Sequence, residues 1–149
     1  MQGRAGFTLI EVLIVAAMVA ILAALALPSY QNFIVIAKRT QAQAVLLQLL
    51  QQQERYYSQH NTYIAFSSSS SDAQAVLFKW WTGATASESA YEVSALACPD
   101  TTIGQCVQLS AIPGTDKVDR TFKDRSCANL VLTSAGQKSA TGAGAHCWP

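Results

Sequence analysis

Hydrophobic residues are unevenly spread along the 149-residue chain, and the densest run lies near its start. From Phe7 to Leu27 there are 21 residues, and of these Glu11 alone can carry a charge. As a helix this run is about 31 Å long, against a bilayer hydrocarbon core of about 30 Å. Beyond Pro28 the apolar positions narrow to a stripe. Tyr30, Phe33, Ile34 and Ala37 follow i, i+3, i+4, i+7; Ala42, Val45, Leu46 and Leu49 repeat the pattern, and Leu50 and Tyr57 continue it. Between the two sets, Lys38, Arg39, Thr40 and Gln41 are expected to face water. The pattern predicts one long helix from about Phe7 to Ser58, bent at Pro28, where proline removes a hydrogen bond. Two helices broken at Pro28 would read the same way. Asn61 and Thr62, which compete for backbone hydrogen bonds, end the helix.

Five serines in a row, Ser67 to Ser71, predict a flexible solvated loop. A short helix is expected over Asp72 to Trp81, with Asp72 as N-cap and Ala73, Val76, Leu77 and Trp80 at helical spacing. Trp80-Trp81 either covers a sheet edge or the core, or contacts a neighbouring subunit or a ligand. Thr82 to Ser89 is a loop. From Tyr91 the period becomes two: Tyr91, Val93, Ala95 and Ala97 alternate with polar or small residues, as do Val107, Leu109 and Ala111, then Leu130 and Leu132. Phe122 suggests a short or irregular strand between Asp119 and Asp124, and Pro113-Gly114 and Gly136 mark turns. The expected fold class is α+β, a long helix packed on a sheet of three or four antiparallel strands.

Charge adds little. Formal net charge is +1, so no bulk field steers the protein to a partner. Asp116, Asp119 and Asp124 are interleaved with Lys117, Arg120, Lys123 and Arg125, the pattern of a solvated face. His60 and His146 have no ligand partners at metal spacing, and no Ser-His-Asp, paired-carboxylate or phosphate-loop constellation occurs. No enzyme activity, cofactor or metal is expected. Arg4 precedes the apolar run, which by the positive-inside rule puts the first residues in the cytoplasm and the remainder outside. Four cysteines, Cys98, Cys106, Cys127 and Cys147, then read as two disulfides in an oxidising compartment. Strand alternation puts Cys98 and Cys106 on the polar face at the mouth of a hairpin, which favours Cys98–Cys106 with Cys127–Cys147. The two other connectivities, 98–127 with 106–147 and 98–147 with 106–127, stay open. No C-x-x-C occurs, so a redox centre is not indicated.

A carboxylate inside an apolar span is costly and normally has a partner. The residues Gly6-Phe7-Thr8-Leu9-Ile10-Glu11, after a short stretch with Arg4 and before an apolar helix, resemble the processing site of the type IV prepilin family, which includes pilins and type II secretion pseudopilins. That resemblance implies cleavage by a prepilin peptidase between Gly6 and Phe7, N-methylation of Phe7, and pairing of Glu11 with the Phe7 amine of a neighbouring subunit. Two buried opposite charges cost far less together than apart, and such pairs can fix register. A plain membrane anchor, or a secretory signal cut at Ala24-Leu25-Ala26, are the blander readings. Many pilins carry a glycine in the apolar half; here none lies between Phe7 and Pro28, and Ala20 and Ala24 occupy that region.

Glu54-Arg55-Tyr56-Tyr57 with Asn61-Thr62-Tyr63, and the order of strands, cysteines and turns over 90–149, resemble PilE-like minor pilins. The implied organisation is a leader (1–6), a transmembrane and filament-core helix (7–29), its amphipathic half (30–58), a connecting αβ-loop (59–90), and a sheet with a disulfide-bounded C-terminal region (91–149). Within that region Gly136, Gly142 and Gly144 suggest flexibility, Lys138 and Ser139 a polar surface, and Trp148 packing on the disulfide and sheet. The expected function is a minor pilin supporting pilus biogenesis, twitching motility and adhesion. Its partners would be other pilin subunits, the peptidase, the inner membrane before assembly and the assembly platform, and its final location the extracellular pilus. Two alternatives stand beside it. Major pseudopilins commonly have a calcium loop and lack the C-terminal disulfide, unlike this chain. A DNA-binding pilin would want a basic stripe, and from Pro113 onward five Lys/Arg face three Asp. The intact mass of the mature protein should correspond to a start at Phe7, one added methyl and the loss of four hydrogens. A mass that retains residues 1–6 would contradict the processing scheme.

Overall fold

The computed structural model describes residues 8–149, and within them residues 26–29 by backbone alone. Gly6 and Phe7 therefore lie outside the described residues, whereas the backbone runs as one helix through Pro28, without the break that two separate helices would show. The elements are helix α1 (Leu9–His60), a 3-10 turn (Ala75–Leu77), and strands β1 (Tyr91–Ala97), β2 (Val107–Pro113), β3 (Leu130–Thr133) and β4 (Lys138–Ala140). The chain divides into two compact units, Met1–Ile36 and Ala37–Pro149.

In the first unit the apolar side chains stand in the open: Leu9, Ile10, Ile14, Met18, Leu22 and Leu25 are all exposed. An 18-residue window of this helix reaches a mean hydropathy of 2.8, long and apolar enough to cross a membrane. Burial therefore requires lipid or other chains. Tyr30 and Phe33 share this exposure.

The second unit holds the core. Ala42, Leu46 and Leu49, from the helical stripe, are buried with the inward faces of the strands: Tyr91, Val93 and Ala95, then Val107, Leu109 and Ala111, then Leu130 and Leu132. The sheet is antiparallel in the order β1-β2-β3-β4. Its register aligns Ala95 with Leu109 and Leu109 with Leu132, so one face is continuously apolar. The expected architecture, a long helix on an antiparallel sheet with C-terminal disulfides, is what is observed.

The β1 edge is covered, which removes a template for unwanted strand pairing, while on the exposed β4 edge one carbonyl is occupied. On the β1 side, Phe66 bridges Ala95 and Trp81 bridges Glu92. There the Val93 N–H donates to the Trp80 carbonyl at 2.7 Å and the Ala95 N–H to the Phe66 carbonyl at 2.9 Å. On the β4 side, the Trp148 indole N–H donates to the Ser139 carbonyl at 2.7 Å.

Several local expectations are corrected. The helix expected over Asp72–Trp81 shrinks to one 3-10 turn. Its N-cap is Gln74 rather than Asp72, although the Asp72 carboxylate accepts from the Gln74 and Ala75 N–H groups. The segment then runs extended, because Trp80 and Trp81 are held against the edge of β1, and Val76 and Leu77 remain exposed. Phe122 lies in no strand; it packs on Tyr91 with ring centroids 5.3 Å apart. The fourth strand instead contains Lys138 and Ser139. The serine run is knitted by its own bonds, with Ser70 Oγ accepting from the Ser67 N–H and Ser67 Oγ within 3.0 Å of Ser69 Oγ.

Cys98 is joined to Cys106 and Cys127 to Cys147, with Cα atoms 5.4 and 5.5 Å apart. Gly142 and Gly144 serve close approach rather than looseness: their N–H groups donate to the Cys127 and Ser126 carbonyls at 2.9 and 2.7 Å. A Cβ at Gly142 would fall on the backbone of Ser126 and Cys127. Gly142→Ala should therefore cost about 1–3 kcal/mol, as overpacking does. Urea unfolding of the disulfide-intact protein reads this, and an unshifted midpoint would contradict the close approach.

Candidate functional site

At the head of α1, Thr8 and Glu11 satisfy each other. The Glu11 N–H donates to Thr8 Oγ1 at 3.3 Å, and the Thr8 N–H donates to Glu11 Oε2 at 3.4 Å. This is the reciprocal arrangement of a capping box, with a negative charge at the positive end of the helix. The sequence signal for this box is Thr-x-x-Glu ahead of an apolar run.

The most connected polar group of the second unit is Asp124. Its side chain is fully buried. Arg39 grips it with both fork atoms: Nε donates to Oδ2 and Nη2 to Oδ1, each at 2.8 Å. The Tyr91 hydroxyl donates to Oδ2 at 2.6 Å, and the Cys127 N–H to Oδ1 at 3.0 Å. One carboxylate thus joins the helix, β1 and the disulfide-bounded C-terminal region. Two expectations fall here: Arg39 does not face water, and Asp124 does not belong to a solvated charged face. A buried arginine is tolerated because a bidentate carboxylate matches its planar fork. Burial pushes the Asp124 carboxyl up, but donation from Arg39, Tyr91 and Cys127 and the guanidinium charge outweigh it, leaving it below the usual range. The bond to Asp124 raises Arg39. Burial first, then Asp124, raises the Tyr91 hydroxyl far above its ordinary value.

Three open regions of the second unit could take a partner. On the outer face of the sheet is a groove of about 730 Å³, lined by Cys98, Thr101, Gln108, Thr133, Gln137 and Lys138 among others. The Lys138 ammonium lies 5.6 Å from the centre of the Trp148 ring. A cleft of about 360 Å³ runs between α1 and the connecting segment, with Gln48, Gln51, Gln52, Arg55 and Lys79 as its polar lining. Lys79 also lines a neighbouring cleft of about 300 Å³ with Ser67, Ser70, Phe78, Trp80 and Trp81. The Lys79 ammonium donates to the Gly83 carbonyl at 2.7 Å and sits 5.4 Å from the centre of the Trp81 ring. Trp80 and Trp81 meet edge to face at 5.1 Å. Among the described residues, no group of three or more His, Cys, Asp or Glu is arranged to hold a metal ion.

The family described as type IV minor pilin ComP, DNA uptake sequence receptor, matches residues 28–131. The chain belongs to this family. Residues 1–27 match the prokaryotic N-terminal methylation motif, so a type IV minor pilin domain follows a prepilin-type head. A fimbrial protein of Moraxella nonliquefaciens is 52% identical over 42 residues, 28% of this minor pilin and 27% of that protein, so the match spans about a quarter of the relative's length. The non-core minor pilin PilV of Neisseria meningitidis shares the fold at a TM-score of 0.50 and 19% identity, covering 77% of this chain and 94% of that one. A type IV pilin of Shewanella oneidensis aligns at a TM-score of 0.45 and 25% identity over 76% and 96%.

The buried cluster makes stability depend on pH at both ends. The folded Asp124 carboxyl lies below its unfolded value of about 3.9, so its contribution is present above that pH and is lost as pH falls through the folded value. The Tyr91 hydroxyl is raised above its unfolded value of about 10, so its contribution is present below that pH and is lost as pH rises beyond it. Asp124→Asn should flatten the acid limb of a stability–pH curve and Tyr91→Phe the alkaline limb. Limbs unchanged in both variants would contradict the assignment.

Proposed function

We propose that this minor pilin is an assembly-competent subunit of a type IV pilus and that its soluble domain receives DNA at the pilus surface. The family match over residues 28–131 carries the reading, and it favours the pilus over a type II secretion pseudopilin. In this reading the peptidase cuts between Gly6 and Phe7, Phe7 is methylated, and Glu11 meets the Phe7 amine of an adjacent subunit. The exposed apolar side chains from Leu9 to Leu25 support it, because they need lipid before assembly and other helices after it. The capping box does not conflict, since a carboxylate that accepts one long bond at 3.4 Å has lone pairs to spare. Roles in biogenesis, twitching and adhesion, and any closer identity with PilE-like pilins, belong to the same proposal.

DNA reception, which composition argued for only weakly, gains support from the family description. The sheet groove has chemistry suited to it: Lys138 can neutralise a phosphate, while the Gln108 and Gln137 amides can pair with base edges, adenine above all. The charge surplus is small, so binding should be weak at high salt.

Two experiments separate these roles. In a deletion strain, loss of surface pili marks an assembly role, whereas loss of DNA uptake with normal piliation marks reception. With the full chain in non-ionic detergent, Lys138→Gln should weaken duplex binding alike for all sequences and lower the salt slope by about 0.9. Absence of binding at low salt would end the receptor reading.

A further inference from the structure

The clefts beside α1 are unlike the sheet groove. Among the described residues, no aromatic ring lines the groove on the sheet. The paired clefts at Lys79 combine two cations, glutamine amides and two tryptophans. Among the described residues no carboxylate lines either of them, although the chain carries nine acidic residues against ten basic ones. The nearest acid along the helix, Glu54, accepts from the Tyr63 hydroxyl at 3.0 Å. No ion pair of Arg55 or Lys79 with a carboxylate occurs among the described residues. Lys79 is fixed in place by the Gly83 carbonyl and by the Trp81 ring. Trp80 and Trp81 are anchored by the edge of β1, yet both stay partly exposed.

We infer that Arg55, Lys79, Trp80 and Trp81 form a second nucleic-acid contact, one that takes unpaired strand. Phosphates lie between Arg55 and Lys79, and a base lies against the tryptophan pair. The inference rests on the receptor reading and extends it to the form of the ligand. In a duplex the bases are stacked on one another and offer no free face. In single strand they do, and a positive cleft beside anchored rings is the arrangement that binds them with little sequence preference. An acidic protein segment would use the two cations but leave the rings and the serine-lined cleft idle. Arg55 is exposed and projects from a helix whose opposite side is packed, so the site exists without any rearrangement of the core.

The test uses the full chain in non-ionic detergent and fluorescence anisotropy. The probes are a labelled 12-nucleotide single strand and the duplex of the same sequence, each titrated at several salt concentrations. Trp80→Ala should weaken single-strand binding about tenfold, as loss of one stacking ring does, and leave duplex binding within twofold. Arg55→Gln with Lys79→Gln should lower the single-strand salt slope by about 1.4, for two phosphates at about 0.7 each. Circular dichroism and urea midpoints check that both variants fold; if Trp80→Ala does not, the glutamine pair, whose exposed-cleft changes leave the core intact, decides alone. Duplex binding without single-strand binding would overturn the inference and leave the receptor reading standing. No binding of either probe would overturn both. Single-strand binding indifferent to these substitutions, or displaced equally well by polyglutamate at the same charge concentration, would also overturn the inference.

Discussion

The second unit depends on one buried carboxylate. Asp124 accepts from a helix residue, a strand residue and the backbone beside a disulfide, so three separate parts of the chain converge on two oxygen atoms. A buried charge with fewer partners would cost several kcal/mol. With four donors in reach its desolvation is offset, and the geometry becomes exclusive: Arg39, Tyr91 and Cys127 can satisfy it in one arrangement of helix, sheet and C-terminal region. Hydrophobic burial drives the helical stripe onto the sheet, but it is non-directional. The carboxylate selects the register in which that burial occurs.

Around this centre the remaining irregular chain is tied down by short devices. The Cys98–Cys106 bridge closes the β1–β2 hairpin, and the Tyr63 N–H donates to the Ile103 carbonyl, joining that hairpin tip to the end of α1. Gln53 holds Ile64 through both its amide groups, donating to the carbonyl at 2.7 Å and accepting from the N–H at 3.0 Å. Gln43 donates to the Cys147 carbonyl at 2.7 Å. A small domain with a modest core gains rigidity from such links. They also explain why its surface loops can present fixed grooves.

What was legible in the sequence was whatever repeats. The helical stripe from Ala42 to Tyr57 and the alternation in β1, β2 and β3 are periodic, and the observed core follows them. The head motif was legible because Gly6, Phe7 and Glu11 stand at fixed spacing before an apolar run. Arg39 and Asp124 were misread because they lie 85 residues apart and each sits among other charges, so nothing local marks them as partners. The 72–81 segment was misread because helical spacing over ten residues is outweighed by pairing with a sheet edge that the sequence does not display. Strand β4 is only three residues long and polar, too short to show a period. Gly142 and Gly144 looked like flexibility because a close backbone approach is visible only in three dimensions.

The two halves of the molecule answer different demands. The apolar half of α1 carries exposed side chains that need lipid or other chains to cover them, with Glu11 as the one ionisable residue between Phe7 and Leu27. The disulfide-tied half gives the minor pilin a stable surface from which polar and aromatic grooves open. The claim that Asp124 organises this second half is tested most directly by a double-mutant cycle with Arg39→Met and Asp124→Ala, measured by urea unfolding. Each single change should cost about 3–5 kcal/mol, because it leaves a buried charge unpaired, and the double change should cost about 1–3 kcal/mol less than their sum. Costs that simply add, to within about 0.5 kcal/mol, would mean that the pair is incidental and that packing alone sets the fold.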